Sequence, residues 1–439
     1  MPTFYHLLVN TAFAAIANFT VWFGVTFFVY LETQSVFATG MISGIYLTLT
    51  LLSGFWFGSL VDHHGKKAVM FLSSGVSLAL YAASLALYLL SPSGSFSDVT
   101  NPLLWVLIVL LLIGVIAGNI RTIVLPTLVT ALIPEDKRDK ANGLAGMVSG
   151  ISFGVVSVIS AFLVGYADMY GVLLFSLAVT VFTITHLVFV PVPKAEAVPG
   201  KEEEPKRIDI RGTIALLTGI PGIMALIFFT TFNNFLGGAF MALMDAYGLS
   251  LVSVETWGII LGVLSFSFMA GGAAIAKWGL GKNPLRTMLL ANIFLWGVCA
   301  LFTIQASVVL LIIGMFLFMC ISPYIEASEH TIIQKVVPPE RQGRVFGFAQ
   351  SVEQAASPLT AFMMGPLAQF VFIPFMTVGA GAALIGDWFG TGPDRGIALV
   401  FTVTGIIGLI VTVLAFNSRA YRMLSERYRT KEKEPEAAA

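Results

Sequence analysis

The sequence predicts an all-α polytopic membrane protein with twelve transmembrane helices in two six-helix halves. Three observations carry that reading. Charge is sparse: the 439 residues are 57% hydrophobic and 11% charged, with a mean hydropathy of +0.89, where soluble domains carry roughly 25% charge. Apolar runs of about 20 residues or more recur, the length a helix needs to cross a ~30 Å hydrocarbon core. They do not alternate in strand-like segments of about ten residues, so helices are expected rather than a closed barrel. Finally, basic residues collect in every second break between the runs, the asymmetry that orients membrane proteins.

Apolar runs set against polar or turn-rich breaks give spans near 7–31, 36–61, 68–90, 102–133, 142–166, 170–192, 213–244, 252–277, 285–305, 307–337, 344–375 and 396–417. Pro126, Pro323, Pro358 and Pro366 lie inside spans and are candidate kinks. No Lys or Arg precedes Lys66; the first run therefore lacks the basic flank of a signal peptide and is expected to stay in the protein. With the N-terminus inside, the inner breaks hold Lys66 and Lys67, then Lys137, Arg138 and Lys140. They continue with Lys194 to Arg211, Lys282 with Arg286, and Arg341 with Arg344, and the tail carries Arg419 to Lys433. The opposite breaks hold a single cation, Arg395, beside the glycine-rich stretch GAGAALIGDWFGTGPDRG, which reads as an outer loop. Both termini are expected in the cytoplasm.

The longest internal polar segment, KAEAVPGKEEEPKRIDIR, reads as a solvated linker. It divides the chain into an N-terminal half (1–193), the linker (194–211), a C-terminal half (212–417) and a cytoplasmic tail (418–439). The halves repeat weakly. Ile133-Pro134-Glu135 with Lys140 and Gly143 matches Val337-Pro338 with Glu340, Arg344 and Gly347, and Asn18 in span 1 has Asn233 and Asn234 at a similar place in span 7. Repeats of this kind place binding sites near the midplane. Formal net charge is zero, which suggests no nucleic-acid partner. Cys299 and Cys320 sit in apolar runs as small hydrophobes. His63 and His64 point in different directions and lack further ligands, so no metal is implied.

The break GSLVDHHGKK between spans 2 and 3 concentrates chemistry. Gly58 permits close helix approach, Gly65 a tight turn, and Asp62 can face the positive end of a neighbouring helix. Arg121 is the one cation placed deep inside a span, about 18 Å along the helix from Ile133. A central arginine costs roughly 2.5–3.5 kcal/mol to insert and needs a partner or a role. Glu326 and Glu329 lie three apart on span 10, with His330 a turn from Glu326. Glu353 sits on span 11, about 13 Å beyond Arg344. Buried carboxyls in such a setting can exchange protons with water from one side, or simply pair with Arg121. Gly143, Gly146, Gly150 and Gly154 line one flank of span 5, as close helix packing requires.

The residues Gly58, Leu60, Asp62, Gly65, Lys66 and Lys67 match a pattern that resembles the loop between helices 2 and 3 of the major facilitator superfamily. The opening TFYHLLVNT and the segment VPPERQGRVFGFAQSVEQAASPLTAF are similar to bacterial drug-efflux permeases of the macrolide-efflux and enterobactin-exporter branch. The resemblance implies the major facilitator fold and proton-driven export by alternating access, with no covalent chemistry, ATP or cofactor. It implies a multi-pass monomer in a bacterial inner membrane, whose partners are a small molecule, protons and lipids. It also implies that Asp62 contacts the start of helix 11, near Arg344, to close the cytoplasmic side. Arg121 resembles the buried helix-4 arginine of the superfamily, although TIVLPT replaces the glycines usual after it. The expected cargo is an amphipathic, drug-like compound held in an apolar cavity near Asn18, Trp22, Phe23 and the Asn233-Asn234-Phe235 cluster. Arg121, Glu326, Glu329 and Glu353 are the candidates for proton coupling or for attracting substrate charge. A siderophore or lysophospholipid exporter of the same fold is the alternative reading. A receptor or membrane-embedded enzyme finds little support, since no clustered His/Asp/Ser set stands at one depth.

Overall fold

A computed structural model describes residues 2–121, 124–125, 128, 132–133, 138–191, 210–337 and 339–433, and every regular element among them is helical. The N-terminal elements are α1 (Pro2–Thr33), α2 (Val36–His63), α3 (Lys66–Leu90), α4 (Pro102–Gly118) and α5 (Arg138–Phe189). They are followed by α6 (Ile210–Thr218), α7 (Ile223–Leu251), α8 (Val254–Trp278), α9 (Pro284–Leu301) and α10 (Val308–Val336). The last are α11 (Pro339–Leu367), α12 (Ile373–Thr377), α13 (Ala380–Phe389), α14 (Pro393–Phe416) and α15 (Arg419–Lys433). Short polar residues start several of them. Ser35, Asn101, Asn283 and Ser307 each accept an N–H of the first turn, and Pro102 and Pro284 stand where no N–H is needed.

Ten helices among the described residues are long and apolar enough to cross a membrane. One of them, Ile151–Phe189, has 39 residues, about 58 Å of helix and far more than one crossing. It breaks at Ala167 and Asp168, where Asp168 takes a left-handed φ of 50°; this is where the sequence separates spans 5 and 6. With that break, and with the 17-residue apolar α4, the helices are consistent with twelve crossings.

Three expectations are corrected. Span 4 does not run unbroken from 102. α4 ends at Gly118, and the Asn119 N–H is shared between the Val115 and Ile116 carbonyls at 3.1 and 3.0 Å, tightening the last turn. Span 7 does not begin at 213. Gly219-Ile220-Pro221-Gly222 separates α6 from α7, because Pro221 has no N–H and Gly222 sits at φ +85°. In span 11 the irregularity falls at the candidate kink Pro366, after which the chain widens into a π-helical turn, Ala368–Phe372, before α12. The glycine-rich stretch from 379 is not a loop, since its apolar middle folds as α13. Pro323 and Pro358 lie within continuous helices, and Pro126 lies outside the described residues.

The chain groups into two compact units, Met1–Gly200 with Gly248–Phe266, and Lys201–Tyr247 with Ser267–Ala439. In the first, α1 packs along α5 and α3 along α4, around a core that includes Leu7, Met70, Ile120 and Leu187. Part of α8 joins this unit because its backbone meets α5 closely: Ser157 Oγ donates to the Gly258 carbonyl at 3.2 Å, and Gly262 lies against Gly154. In the second, α9 packs on α10 and α14, and α15 closes a core of Ile223, Leu285, Met288, Ile333 and Leu424.

Candidate transport site

A cavity of about 570 Å³ lies inside the second unit. Its walls follow from helical spacing. Glu326, Glu329, His330 and Ile333 recur at three- and four-residue intervals along α10, so one face of that helix turns a polar stripe inward. α11 adds Gln350, Glu353 and Gln354, α7 adds Asn233 and Asn234, and α9 adds Asn292 and Trp296. Phe318 and Ile325 supply apolar wall. The Trp296 indole donates to Asn233 Oδ1 at 2.6 Å, and Asn233 Nδ2 donates to the Phe229 carbonyl at 2.9 Å, which fixes both side chains at the wall. Phe235 instead stacks on Phe232, ring centroids 6.2 Å apart.

The acids differ in their surroundings. Glu326 is exposed in the cavity, Glu353 is half-buried, and Glu329 is only 5% exposed. Glu329 and Glu353 are neighbours in the same cavity wall, close enough for their charges to act on each other, and Thr230 lines that wall with them. No N–H or hydroxyl donor among the described residues satisfies Oε1 of either acid. Two neighbouring carboxyls shielded from water hold one proton between them more readily than two negative charges.

Arg121 belongs to a separate network in the first unit. It is 3% exposed; Nη1 donates to Asn10 Oδ1 at 2.6 Å and Nη2 to Ser74 Oγ at 2.7 Å. Asn10 in turn donates through Nδ2 to the Thr183 carbonyl at 2.8 Å and lies 3.1 Å from His186 Nδ1. The hydrogen-bond partners of Arg121 among the described residues, Asn10 and Ser74, are neutral. Asn18 is structural as well: its Oδ1 accepts from the Tyr81 hydroxyl at 2.9 Å, and its Nδ2 faces the Val115 carbonyl at 3.4 Å. The amide fits only because residue 118 is glycine, for a Cβ there would overlap it. Trp22 packs on Tyr46, centroids 4.1 Å apart.

Gly58 and Asp62 fall in the last turns of α2 and Arg344 in the first turns of α11, and the side chains of Asp62 and Arg344 lie outside the described residues. Gly65 does not use its conformational freedom; at φ −58°, ψ 127° with open space around it, any residue would serve. Lys67 donates from Nζ to the Val188 and Val190 carbonyls at 3.1 and 2.7 Å, capping the end of α5. Lys66 stands at the first position of α3.

Sequence reasoning missed Arg395, taken for a loop cation. It is 2% exposed, donating from Nε to the Phe389 carbonyl at 2.6 Å and from Nη2 to those of Thr303 and Ile304 at 2.8 and 2.9 Å. Nη1 reaches the Tyr247 hydroxyl at 3.3 Å, and the guanidinium lies 4.3 Å from the Phe389 ring centre. The missed signal was the apolar helix on its N-terminal side. Asn10 and the serines Ser73, Ser74 and Ser77 were also legible as polar residues at helical spacing in apolar runs.

Residues 7–361 match the Major Facilitator Superfamily. The chain is 21% identical over 392 residues to macrolide efflux protein A of Streptococcus pyogenes, covering 87% of this chain and 93% of that protein. It is 23% identical over 312 residues to the protein of that name from Enterococcus faecalis, covering 69% and 92%. Among solved structures, the nucleoside transporter NupG superposes with a TM-score of 0.69 at 12% identity, covering 95% of this chain and 100% of that one. A bacterial homologue of the human lysosomal transporter Spinster gives 0.66 at 14%, covering 98% of each. A D-xylose–proton symporter gives 0.62 at 13%, covering 96% and 97%. The described helices and these likenesses agree: the chain belongs to the major facilitator superfamily, a family of multi-pass membrane transporters.

Proposed function

We propose that this transporter exports amphipathic small molecules carrying one cationic amine, by alternating access, and exchanges each for a proton. The observation that carries the reading is the neighbouring Glu329 and Glu353, with an unpartnered oxygen on each, in the wall of a polar–aromatic cavity. Intramembrane acids are expensive and mark ion or substrate paths, and a cavity of this size suits a drug-like molecule. The pair holding one proton carries one negative charge. When an ammonium group enters, the proton leaves to water, and the doubly ionised pair with the cation again carries one negative charge. Trp296 and Phe318 offer apolar and cation–π contact to the rest of the cargo, and His330 in the same wall can pass the proton toward water. The efflux proteins at 21–23% identity favour the export direction. The working form is a monomer in the bacterial inner membrane with both termini in the cytoplasm, as the basic breaks indicate. Asp62 and Arg344 each remain proposed gating residues.

The test is pH-gradient-driven uptake of a macrolide into everted vesicles. Glu329→Gln and Glu353→Gln should each cut it at least about tenfold with the protein still folded. Full coupled transport by both variants would sink the assignment, and transport of only neutral or anionic lipid-like cargo would favour the siderophore or lysophospholipid alternative.

A further inference from the structure

We propose that the C-terminal helix α15 and the adjoining α8–α9 turn form a binding surface for anionic phospholipid headgroups. The last helix long and apolar enough to cross a membrane ends at Phe416, and α15 starts only three residues later, at Arg419; a helix so close to a span end is held at headgroup level. Its apolar face is already occupied by protein. Tyr421, Leu424 and Tyr428, at three- and four-residue spacing, pack into the core of the second unit, with Leu424 2% exposed. The Pro221–Gly222 break makes the seat: a Cβ on Gly222 would meet the Ala420 carbonyl and Leu424, so α15 rests directly on that bend. This helix is consequently not an apolar anchor dipping into lipid tails. It is a rigid mount for the opposite face.

That opposite face is cationic. Arg419, Arg422 and Arg429 recur at three- and seven-residue intervals and are exposed. Asn283 Nδ2 donates to Ser425 Oγ at 3.1 Å, which draws the α8–α9 turn alongside and adds the exposed Lys282 and Arg286. Among the described residues, Glu426 is the acid on this face. Five cations and one acid, held on backbone fixed by packing, present guanidinium forks to a surface of phosphodiesters, the chemistry arginine binds best. The commitment is to lipid rather than free phosphate, because helix position and charge both face the headgroup layer.

The full-length protein in a neutral detergent tests this by lipid titration followed through its thermal midpoint. Dioleoylphosphatidylglycerol should raise the midpoint, dioleoylphosphatidylcholine should not, and added salt should weaken the effect. Each cation is expected to contribute about fivefold to the binding constant. The Arg419→Gln/Arg422→Gln/Arg429→Gln variant should then bind the anionic lipid about a hundredfold more weakly, with its lipid-free midpoint unchanged. Should that variant fold poorly, Lys282→Gln/Arg286→Gln carries the same test, with about a 25-fold loss expected. Equal midpoints in the two lipids, wild-type affinity in the substituted proteins, or inorganic phosphate reproducing the shift would each overturn the proposal.

Discussion

Arg395 offers the most direct test of how the second unit is held together. One guanidinium satisfies three backbone carbonyls, Phe389 at the end of α13 and Thr303 and Ile304 just beyond α9, and it stacks on the Phe389 ring. Replacing it with leucine keeps the volume but leaves those acceptors without a donor, at about 1–3 kcal/mol each. Part of this is offset, because burying the guanidinium has its own cost, at most the roughly 2.5–3.5 kcal/mol of an arginine at a helix centre. Arg395 stands near a span end, where water can reach some of the freed carbonyls. A net loss of about 2–5 kcal/mol follows, which for a unit of this size lowers the thermal midpoint by roughly 5–15 °C. Arg395→Lys should recover only part of the loss, since one ammonium cannot span carbonyls on two helices. The assay is thermal unfolding of purified protein followed by intrinsic fluorescence. An unchanged midpoint in Arg395→Leu would refute the account of these helix ends.

Lys67→Met removes an exposed carbonyl cap and should cost less than about 1 kcal/mol, seen as a midpoint within a few degrees of wild type. A collapse of the fold would show that Lys67 does more than cap α5. Gly118→Val forces a side chain onto the Asn18 amide and frees the Tyr81 hydroxyl, so a loss of about 2–4 kcal/mol is expected. Combining it with Asn18→Ala should recover at least about 1 kcal/mol of that, and strict additivity in the double-mutant cycle would contradict the contact.

The fold was legible because its signals are strong and local. Spans of apolar residues and alternating basic breaks need no tertiary information, and most helix ends lie within a few residues of the expected ones. The failures have physical causes. Pro221-Gly222 interrupts a hydrophobic run whose composition never changes, so hydropathy alone passes over it. The stretch after Val378 was read from its glycines, while its Ala, Leu, Ile, Trp and Phe were enough to form α13. The candidate site divided along similar lines. Intramembrane charge is rare enough that Arg121, Glu326, Glu329 and Glu353 stood out from the sequence. Which acid is buried and which faces the cavity depends on rotation of α10, and a three-residue separation does not reveal that. The neutral partners of Arg121 lay beyond reach for the same reason: Asn10 is 111 residues away and Ser74 is 47.

Proton release accompanying cargo entry into proteoliposomes of known orientation tests the central claim most directly. With an amine-bearing macrolide, the account expects one proton released per molecule bound or moved, and none from the Glu329→Gln/Glu353→Gln protein. Cargo movement without proton release, or undiminished release from the doubly substituted protein, would contradict it.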